Sequence, residues 1–312
     1  YGDYGGIDYS RYIEINGDLT DRDFVNEILA IHRPDVIIHL ASQPSMPYSQ
    51  INGERALYTQ VTNISMLINL LWGAKENGLF PKFITTTTTG IPGQHYAVIE
   101  EAQTLNCAGS WYHVSRGFDS ANLRLAGLQF GFTCVEFRTS IVYGLQTELL
   151  RKLGIATRFD TDYYFGTAFN RFIKMGMEGK PLTVYGKGLQ TKPFISLEDT
   201  VHSLVNSIDY IFPAGHTILN QTTSSIAIVD LANMIATMTS GQVKHIDNPR
   251  KENEEFMMEF KNEKFLDVLA KEPTDMKSEV KKMVDYLKRS YSFTTTCDTT
   301  NSQELNAKQD KS

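Results

Sequence analysis

Apolar residues recur along the first half of the chain in two alternating patterns. Helical spacing, with apolar positions three and four apart, covers residues 21–33, 56–71 and 110–130. Short runs typical of β-strands cover residues 12–15, 36–41, 82–87 and 134–138. The run at 36–41 is almost continuously apolar, as in parallel strands that are covered on both faces. This alternation predicts an α/β fold built on a doubly wound parallel sheet.

The pattern loosens beyond residue 145. Residues 145–162 lack periodicity and predict an irregular insertion. Further elements are a helix over 164–178, a strand within 181–188, helices near 199–211 and 227–239, and a strand near 216–220. We therefore predict one domain over 1–145 and a smaller α/β lobe over 146–290. Residues 291–312 are rich in Thr, Asn, Ser and Lys without periodicity, which predicts a disordered tail.

Composition excludes several classes of function. The chain has 312 residues, a net charge of −6 and scattered basic residues, which argues against a nucleic-acid partner. No apolar run approaches the ~20 residues of a membrane span, and the first residues do not resemble a signal peptide. The three cysteines, Cys107, Cys134 and Cys297, show no metal-ligand spacing. They predict neither a disulfide framework nor a metal site, and they favour a cytoplasmic protein.

Tyr112 and Arg116 form the first candidate for chemistry. They lie four residues apart in the helix predicted over 110–130 and therefore share one face. An unperturbed tyrosine has a pKa near ~10, and a neighbouring cation favours the phenolate. The pair thus predicts a tyrosine that accepts a proton. The alternative is an ordinary amphipathic helix, in which the tyrosine packs and the arginine faces water.

Several short motifs then occur in a characteristic order. They are Gly17-Asp18, His39-Leu40-Ala41, Asn63 in a following helix, a Thr-rich strand end at 85–89, Tyr112-x-x-x-Arg116 and Val142-Tyr143-Gly144. With these motifs the chain resembles an extended short-chain dehydrogenase/reductase, the superfamily of the NAD-dependent epimerases and dehydratases. It is most similar to the UDP-sulfoquinovose synthase group, through segments 47–49, 56–60, 110–115, 165–172, 181–191 and 248–250.

The resemblance implies a fold and a reaction. The fold is a Rossmann-like NAD-binding domain with a nucleotide-sugar lobe, and the assembly is a homodimer packed through the helices near 52–75 and 110–130. In the reaction, NAD takes the C4 hydride of UDP-glucose, the 4-keto sugar loses water, sulfite adds at C6, and the hydride returns. Two alternatives stay open. One is a UDP-sugar 4-epimerase or dehydratase, and the other is a catalytically impaired homologue that only binds a nucleotide sugar.

The resemblance also implies roles for individual residues. Tyr112 is the catalytic base, Arg116 stands where the family's lysine holds the nicotinamide ribose, and Thr88 hydrogen-bonds near the sugar C4 oxygen. Thr88 has a plainer alternative, because β-branched residues are good strand formers. The implied cofactor contacts are Asp18, Leu19, Leu40, Ala41, Ser42, Asn63, Tyr112 and Arg116. The implied substrate contacts are Gln43, Tyr48, Asn170, Thr183, Tyr185, Gln190, Lys192 and Arg250, with Lys192 and Arg250 on the diphosphate.

The chain departs from the family pattern in four places. No G-x-G-x-x-G motif precedes a helix, so we expect that the first βαβ unit is absent and that NAD is held weakly. Arg116 replaces a lysine, and a planar guanidinium does not reproduce the contacts of an ammonium. Thr88-Thr89-Gly90-Ile91 lacks the acidic residue of the family's Thr-Met-Gly-Glu, and Gln43-Pro44 lacks the arginine of its Gln-Arg. The last two changes bear on the sulfite step.

Overall fold

The protein was analysed as a computed structural model, which describes residues 9–93, 97–103, 109–248 and 257–290. The helices in these ranges are α1 Arg22–His32, α2 Gly53–Glu76, α3 Trp111–Phe130, α4 Glu148–Lys152, α5 Ala168–Met177, α6 Leu197–Asp209, α7 Ile228–Ala236, α8 Glu263–Leu269 and α9 Met276–Ser290. The strands are β1 Val36–His39, β2 Lys82–Thr88, β3 Val98–Ile99, β4 Thr133–Thr139, β5 Ile141–Tyr143, β6 Leu182–Tyr185, β7 Thr191–Ser196, β8 Gly215–Gln221, β9 Ser224–Ala227, β10 Val243–Ile246 and β11 Glu259–Phe260.

The main sheet has four parallel strands in the order β1-β2-β4-β8. Successive side chains of a strand point to opposite faces, and on β2 Phe83 and Ile84 enter two different cores. Phe83 packs with Leu67 of α2 and Leu123 of α3. On the other face, Ile84 packs with residues of α6 and α8. A parallel sheet covered by helices on both faces confirms the predicted α/β fold.

The predicted strand at residues 12–15 is wrong. This segment has no regular secondary structure, and Tyr12 and Ile13 are 61% and 69% exposed. A strand is stabilised by hydrogen bonds to a neighbouring strand. Within the described ranges β1 pairs in the sheet only with β2, and no strand pairs with residues 12–15. An apolar alternating pattern was therefore present without the partner that a strand requires.

The second lobe is built from small sheets around one apolar core. Its sheets are β5-β7-β9 and β10-β6. The core contains Phe169 and Phe172 of α5, Phe194 of β7 and Tyr143 of β5, together with apolar residues of α7 and α9. The sequence patterns placed the start of α5 four residues early, and the elements that they missed in this half of the chain are β5, β7, β9, β10, β11, α8 and α9. The insertion at 145–162 is irregular as predicted, apart from the short α4.

One strand crosses the predicted domain division. β8 comes from residues 215–221 and pairs with β4 along its whole length, in the main sheet. Residues Leu204 and Phe265 of the later half also join the core beneath that sheet. The boundary between residues 145 and 146 stays a prediction, and the disordered tail predicted for 291–312 lies outside the described residues.

Candidate active site

Tyr112 lies in the first turn of α3, and the sequence explains why the helix begins there. Ser110 is the N-cap, and its Oγ accepts a hydrogen bond from the His113 backbone N–H at 3.2 Å. The Tyr112 backbone N–H donates to Ser49 Oγ at 3.1 Å, and its carbonyl accepts from Ser115 Oγ at 2.8 Å. The backbone of the candidate base is thus fixed both to its own helix and to the loop that follows β1.

Two opposing effects act on the phenol of Tyr112. Burial raises its pKa above the ordinary value, and the nearby Arg116 charge lowers it. The carboxylate of Asp119 adds a second, smaller upward effect, and the net shift is upward. The sequence analysis predicted the direction of the Arg116 effect correctly. It did not anticipate that burial outweighs the cation, because the degree of burial is set by the packing of α3 on the sheet.

The Arg116 side chain is turned into the protein. Only 2% of the residue is exposed. Its Nη2 donates to the Thr86 carbonyl of β2, and its Nη1 lies 2.8 Å from Asp119 Oδ2. Asp119 is one helical turn further along α3 and is fully buried. The predicted contact of Arg116 with a nicotinamide ribose stays a prediction, and the described contacts fasten the guanidinium to β2 and Asp119.

Thr88 is the last residue of β2, at the carboxyl edge of the main sheet. Its Oγ1 accepts a hydrogen bond from the Gly90 N–H at 3.1 Å and so shapes the turn after the strand. Gly90 passes close to His113, since a Cβ built there would lie 2.4 Å from the imidazole Nε2. A side chain at position 90 would displace the His113 ring where this turn meets α3, and the predicted role of Thr88 toward a substrate stays untested.

The segment after β1 brings the predicted cofactor residues to the same edge. Asn63 of α2 is fully buried and joins this segment to α3: its Oδ1 accepts from the Gln43 N–H at 2.7 Å, and its Nδ2 donates to Ser115 Oγ at 3.0 Å. Leu40 is 53% exposed, and Ala41 is exposed as well. Asn63 thus positions the segment from within the core, and Leu40 and Ala41 leave apolar surface beside the strand end. Ser42, which follows Ala41, is half-buried.

His39, the last residue of β1, is buried and lacks a hydrogen-bond partner on either ring nitrogen within the described part of the chain. Burial, and secondarily the Arg116 charge, lower its pKa to about 4, so the ring is neutral at pH 7. An unpartnered imidazole and an open apolar strand end fit the nicotinamide end of a dinucleotide. The described residues contain no glycine loop that would hold its pyrophosphate.

The remaining predicted cofactor residues, Asp18 and Leu19, lie before α1. Asp18 Oδ1 accepts from the Thr20 N–H at 2.8 Å, and this hydrogen bond lowers the pKa of the carboxyl. The Leu19 carbonyl accepts from Asn69 Nδ2 at 3.0 Å, which ties the segment to α2. Both residues therefore have local structural contacts, and their predicted contact with NAD is untested.

Lys192 connects the second lobe to this edge of the sheet. It lies on β7, and its charge acts on His113 of α3. Burial, followed by this Lys192 charge, lowers the pKa of His113 to about 4. The His113 ring also packs against Tyr112, with centroids 5.3 Å apart. The fold thus brings together Tyr112, His113 and Lys192, and His113 is a residue that the sequence analysis did not single out for the site.

The other predicted substrate residues occupy varied positions. Asn170 Nδ2 donates to the Asp160 carbonyl at 3.1 Å and anchors the insertion, and Tyr48 OH accepts from Arg55 at 2.7 Å. Thr183 and Tyr185 alternate with buried residues on β6 and are half-buried. Gln190 is 6% exposed, and its Oε1 has no hydrogen-bond partner in the described ranges. Arg250 lies outside the described residues.

A set of buried ionisable side chains extends from Arg116 along the α3 face of the main sheet. We call it the charged cluster, and it consists of Arg116, Asp119, Glu136, Arg138 and His216. Glu136 Oε1 accepts from Thr87 at 2.7 Å and from Arg138 at 3.2 Å, and its Oε2 accepts from Ser120 at 2.6 Å and lies 3.0 Å from His216 Nε2. Burial alone would raise the pKa of Glu136, but these partners lower it to about 2.

The described residues contain no group of three or more His, Cys, Asp or Glu side chains arranged to hold a metal ion. Among the helices of those same ranges, none combines the length and the apolar character needed to cross a bilayer.

Comparison with known proteins places this chain in a family. Its fold is similar to that of UDP-glucose 4-epimerase of Thermotoga maritima, solved with UDP-glucose (TM-score 0.73, 20% identity, 88% of this chain and 84% of that one). It is also similar to that of UDP-glucuronic acid 4-epimerase of Bacillus cereus, solved with UDP-glucuronic acid and NAD (TM-score 0.72, 23% identity, 90% and 83%). At these identities the structures establish a Rossmann-type fold.

The sequence comparisons are more specific. Residues 8–216 match the family model of the NAD dependent epimerase/dehydratase family, and the chain belongs to that family. It is 32% identical to the chloroplastic UDP-sulfoquinovose synthase of Spinacia oleracea over 272 residues, which is 81% of this chain and 56% of that protein. It is 30% identical to UDP-sulfoquinovose synthase of Sulfolobus acidocaldarius over 80% of this chain and 68% of that protein. The chain therefore spans little more than half the length of the spinach relative.

Proposed function

We propose that the chain acts on a UDP-hexose with NAD through a 4-keto intermediate, as a UDP-sulfoquinovose synthase that uses UDP-glucose and sulfite. The observation that carries the proposal is the meeting of two lobes at one edge of the sheet. Tyr112 from α3 supplies a phenol there, and Lys192 from β7 lies close enough for its charge to act on the adjacent His113. Family membership and the two synthase relatives support the same assignment.

In this proposal each residue has a defined task. Tyr112 accepts the proton of the sugar C4 hydroxyl, and bound NAD supplies the hydride acceptor and donor. Lys192 and Arg250 hold the diphosphate, since cations pair with phosphate oxygens. Neutral His113 and Thr88 line the sugar end without adding charge, and Leu40 and Ala41 would cover the nicotinamide. Burial raises the pKa of the Tyr112 phenol, so Tyr112 must release its own proton to solvent before it accepts the proton of the C4 hydroxyl.

The test measures binding and chemistry separately. UDP-glucose should raise the melting temperature by preferential binding to the folded state. Lys192→Ala and Arg250→Ala should reduce that rise, and Lys180→Ala, a charge removal on the surface of the same lobe, should not. With NAD present, Tyr112→Phe should keep the rise but lower hydride transfer, followed by NADH absorbance, about 10²–10⁴-fold. An equal melting-temperature rise in all the lysine and arginine variants would refute the diphosphate assignment.

Two related reactions are distinguished by their products. Sulfite-dependent formation of a sulfonated UDP-sugar, detected by mass spectrometry, identifies a synthase. Conversion of UDP-glucose to an isomer or a dehydrated sugar without sulfite identifies an epimerase or dehydratase. A third possibility, a homologue that binds but does not react, is favoured by one observation, the ion pair that engages Arg116 with Asp119. It predicts a UDP-glucose-dependent melting shift with no NADH signal.

We also propose a homodimer formed through α2 and α3. Both helices leave large apolar side chains exposed: Leu57, Tyr58 and Val61 on α2, and Trp111, Phe118, Leu125 and Leu128 on α3. Contiguous apolar surface of this kind marks protein interfaces. Sedimentation analysis should show a dimer that dissociates in Phe118→Asp, and a monomeric parent chain would refute this interface. We propose a cytoplasmic setting on the cysteine pattern alone.

A further inference from the structure

Asp119 is a buried acid whose role the proposed reaction does not explain. It is fully buried in the middle of α3, and its Oδ2 lies 2.8 Å from Arg116 Nη1. The spacing of three places both side chains on the same side of the helix. A carboxylate is costly to bury unless it is paired, so the guanidinium opposite it stabilises the ionised form of Asp119.

The neighbouring acid cannot replace Asp119 as a partner for the arginine. Both oxygens of Glu136 are already engaged by Thr87, Arg138, Ser120 and His216. Arg116 is instead held at two points, by Asp119 on its own helix and by the Thr86 carbonyl on β2. The cation that acts on Tyr112 is therefore fixed in place by one carboxylate and one strand.

We propose that Asp119 is a positioning residue, whose carboxylate holds the Arg116 guanidinium against β2 and offsets its charge, so that the Tyr112 phenol receives only part of the cation's effect. The inference rests on the proposed role of Tyr112 as the base. Burial is the main reason that the Tyr112 phenol stays protonated, and Asp119 adds to it because the counter-ion of Arg116 lies on the same helix. Asp119 then tunes the tyrosine by acting on Arg116 and by its own charge.

Two other titratable groups interact with this pair: His39 on β1 with Arg116, and Glu136 on β4 with Asp119. Arg138 and His216 contact Glu136 in turn, and His113 and Lys192 lie on the side of Tyr112. Burial raises the pKa of Asp119 itself to about 7, against the lowering effect of Arg116. The carboxylate is thus ionised in the alkaline range where a buried tyrosine titrates, and the pair acts on Tyr112 as a pair.

The experiment follows the ionisation of Tyr112 directly. The whole chain is labelled with 3-fluorotyrosine, which lowers phenol pKa values into a convenient range, and the ¹⁹F NMR signal of Tyr112 is assigned by its loss in Tyr112→Phe. Asp119→Asn removes the carboxylate but keeps the shape. The midpoint of Tyr112 should then fall by about one pH unit, the effect expected of a cation freed within a few ångströms. An unchanged or higher midpoint overturns the proposal.

Asp119→Glu and Glu101→Gln are the matched controls. Asp119→Glu keeps a carboxylate and should restore a midpoint near that of the parent chain. Glu101→Gln neutralises another buried acid, which accepts hydrogen bonds from Asn220 and Phe265, and should leave Tyr112 unchanged. A fall of the midpoint in Glu101→Gln equal to that in Asp119→Asn would overturn the proposal, because it would show a general effect of losing buried charge.

A second variant keeps the test available if Asp119→Asn does not fold with an unpaired arginine. Arg116→Gln/Asp119→Asn has no charge at either position. If Asp119 offsets Arg116, this double variant should titrate within about half a pH unit of the parent chain, and a larger rise overturns the proposal. None of these measurements needs NAD or UDP-glucose, so absence of catalysis would refute the proposed function and leave this inference to be decided by the NMR midpoints.

Discussion

Two parts of the protein interior are built in opposite ways. On the α3 face of the main sheet, the charged cluster joins side chains of α3, β4 and β8, and its members Arg116 and Asp119 act on the candidate base. In the second lobe, Tyr143 stacks on Phe169 with ring centroids 5.0 Å apart, and Phe194 and Ile173 pack around them. Apolar packing contributes stability through area and density. Buried ion pairs contribute little net stability, but they fix side-chain geometry strongly because a broken pair is so costly.

The contrast shows which region of the protein requires a defined side-chain geometry. Tyr112 and Arg116 need a defined electrostatic environment, and the cluster supplies it with charges whose positions are set by hydrogen bonds. The second lobe needs only to hold β7 and its Lys192 against the sheet edge, which an apolar core achieves. Three experiments test this difference between the charged cluster and the apolar core of the second lobe.

The largest effect is expected from Glu136→Ala. Removing this carboxylate leaves Arg138 and His216 buried without their partner, which should lower the free energy of unfolding by about 3–5 kcal/mol. Urea denaturation measures the loss. Asp285→Asn, which removes half of the exposed ion pair with Lys281, is the control and should change little. A loss as small as the control's would show that the cluster is not tightly coupled.

A smaller effect concerns pH. The folded-state pKa of His39 is about 4, against 6.5 for an unperturbed histidine, so the unfolded chain binds the proton more readily. The stability that neutral His39 contributes is fully present above pH 6.5 and is lost as the pH falls toward 4. The loss reaches about 2 kcal/mol by pH 5. His39→Gln should remove this dependence. The raised pKa of Asp119 changes the stability in the opposite direction over this pH range. The quantity to compare is therefore the difference in the free energy of unfolding between the parent chain and His39→Gln.

If the free energies of unfolding of the parent chain and of His39→Gln change by the same amount between pH 7 and 5, His39 does not titrate as its burial requires. The comparison needs no absolute stability, because the cost of the substitution itself is the same at both pH values. It therefore tests the electrostatics of the sheet side separately from its packing.

The smallest effect is expected in the second lobe. Phe169→Leu trims a fully buried ring that contacts Tyr143 and Phe194, which should cost about 1–1.5 kcal/mol. The loss should be the same at pH 5 and pH 7, since the charged cluster is untouched. A pH-dependent loss, measured in the same urea titrations, would show that the two regions are coupled and would break the distinction between them.

Local patterns predicted most of the main sheet, because its strands and helices carry strong periodicity and clear end signals. Ser110 as N-cap and Gly131 at the C-cap bound α3 within one residue of the prediction. The patterns failed where an element depends on a distant partner. The segment at 12–15 alternates like a strand and is not one, whereas β7 carries a proline and still pairs with both β5 and β9.

Local sequence patterns are enough to identify the family, the main sheet, the helix that carries Tyr112 and Arg116, and the lowering effect of the cation on the pKa of the phenol. Tertiary packing decides that burial outweighs this effect and that Arg116 points to Asp119 and β2. It also places His113 next to both Tyr112 and Lys192. The reason is physical. Periodicity and capping act between residues a few positions apart, but burial and ionic pairing depend on which distant segments pack together.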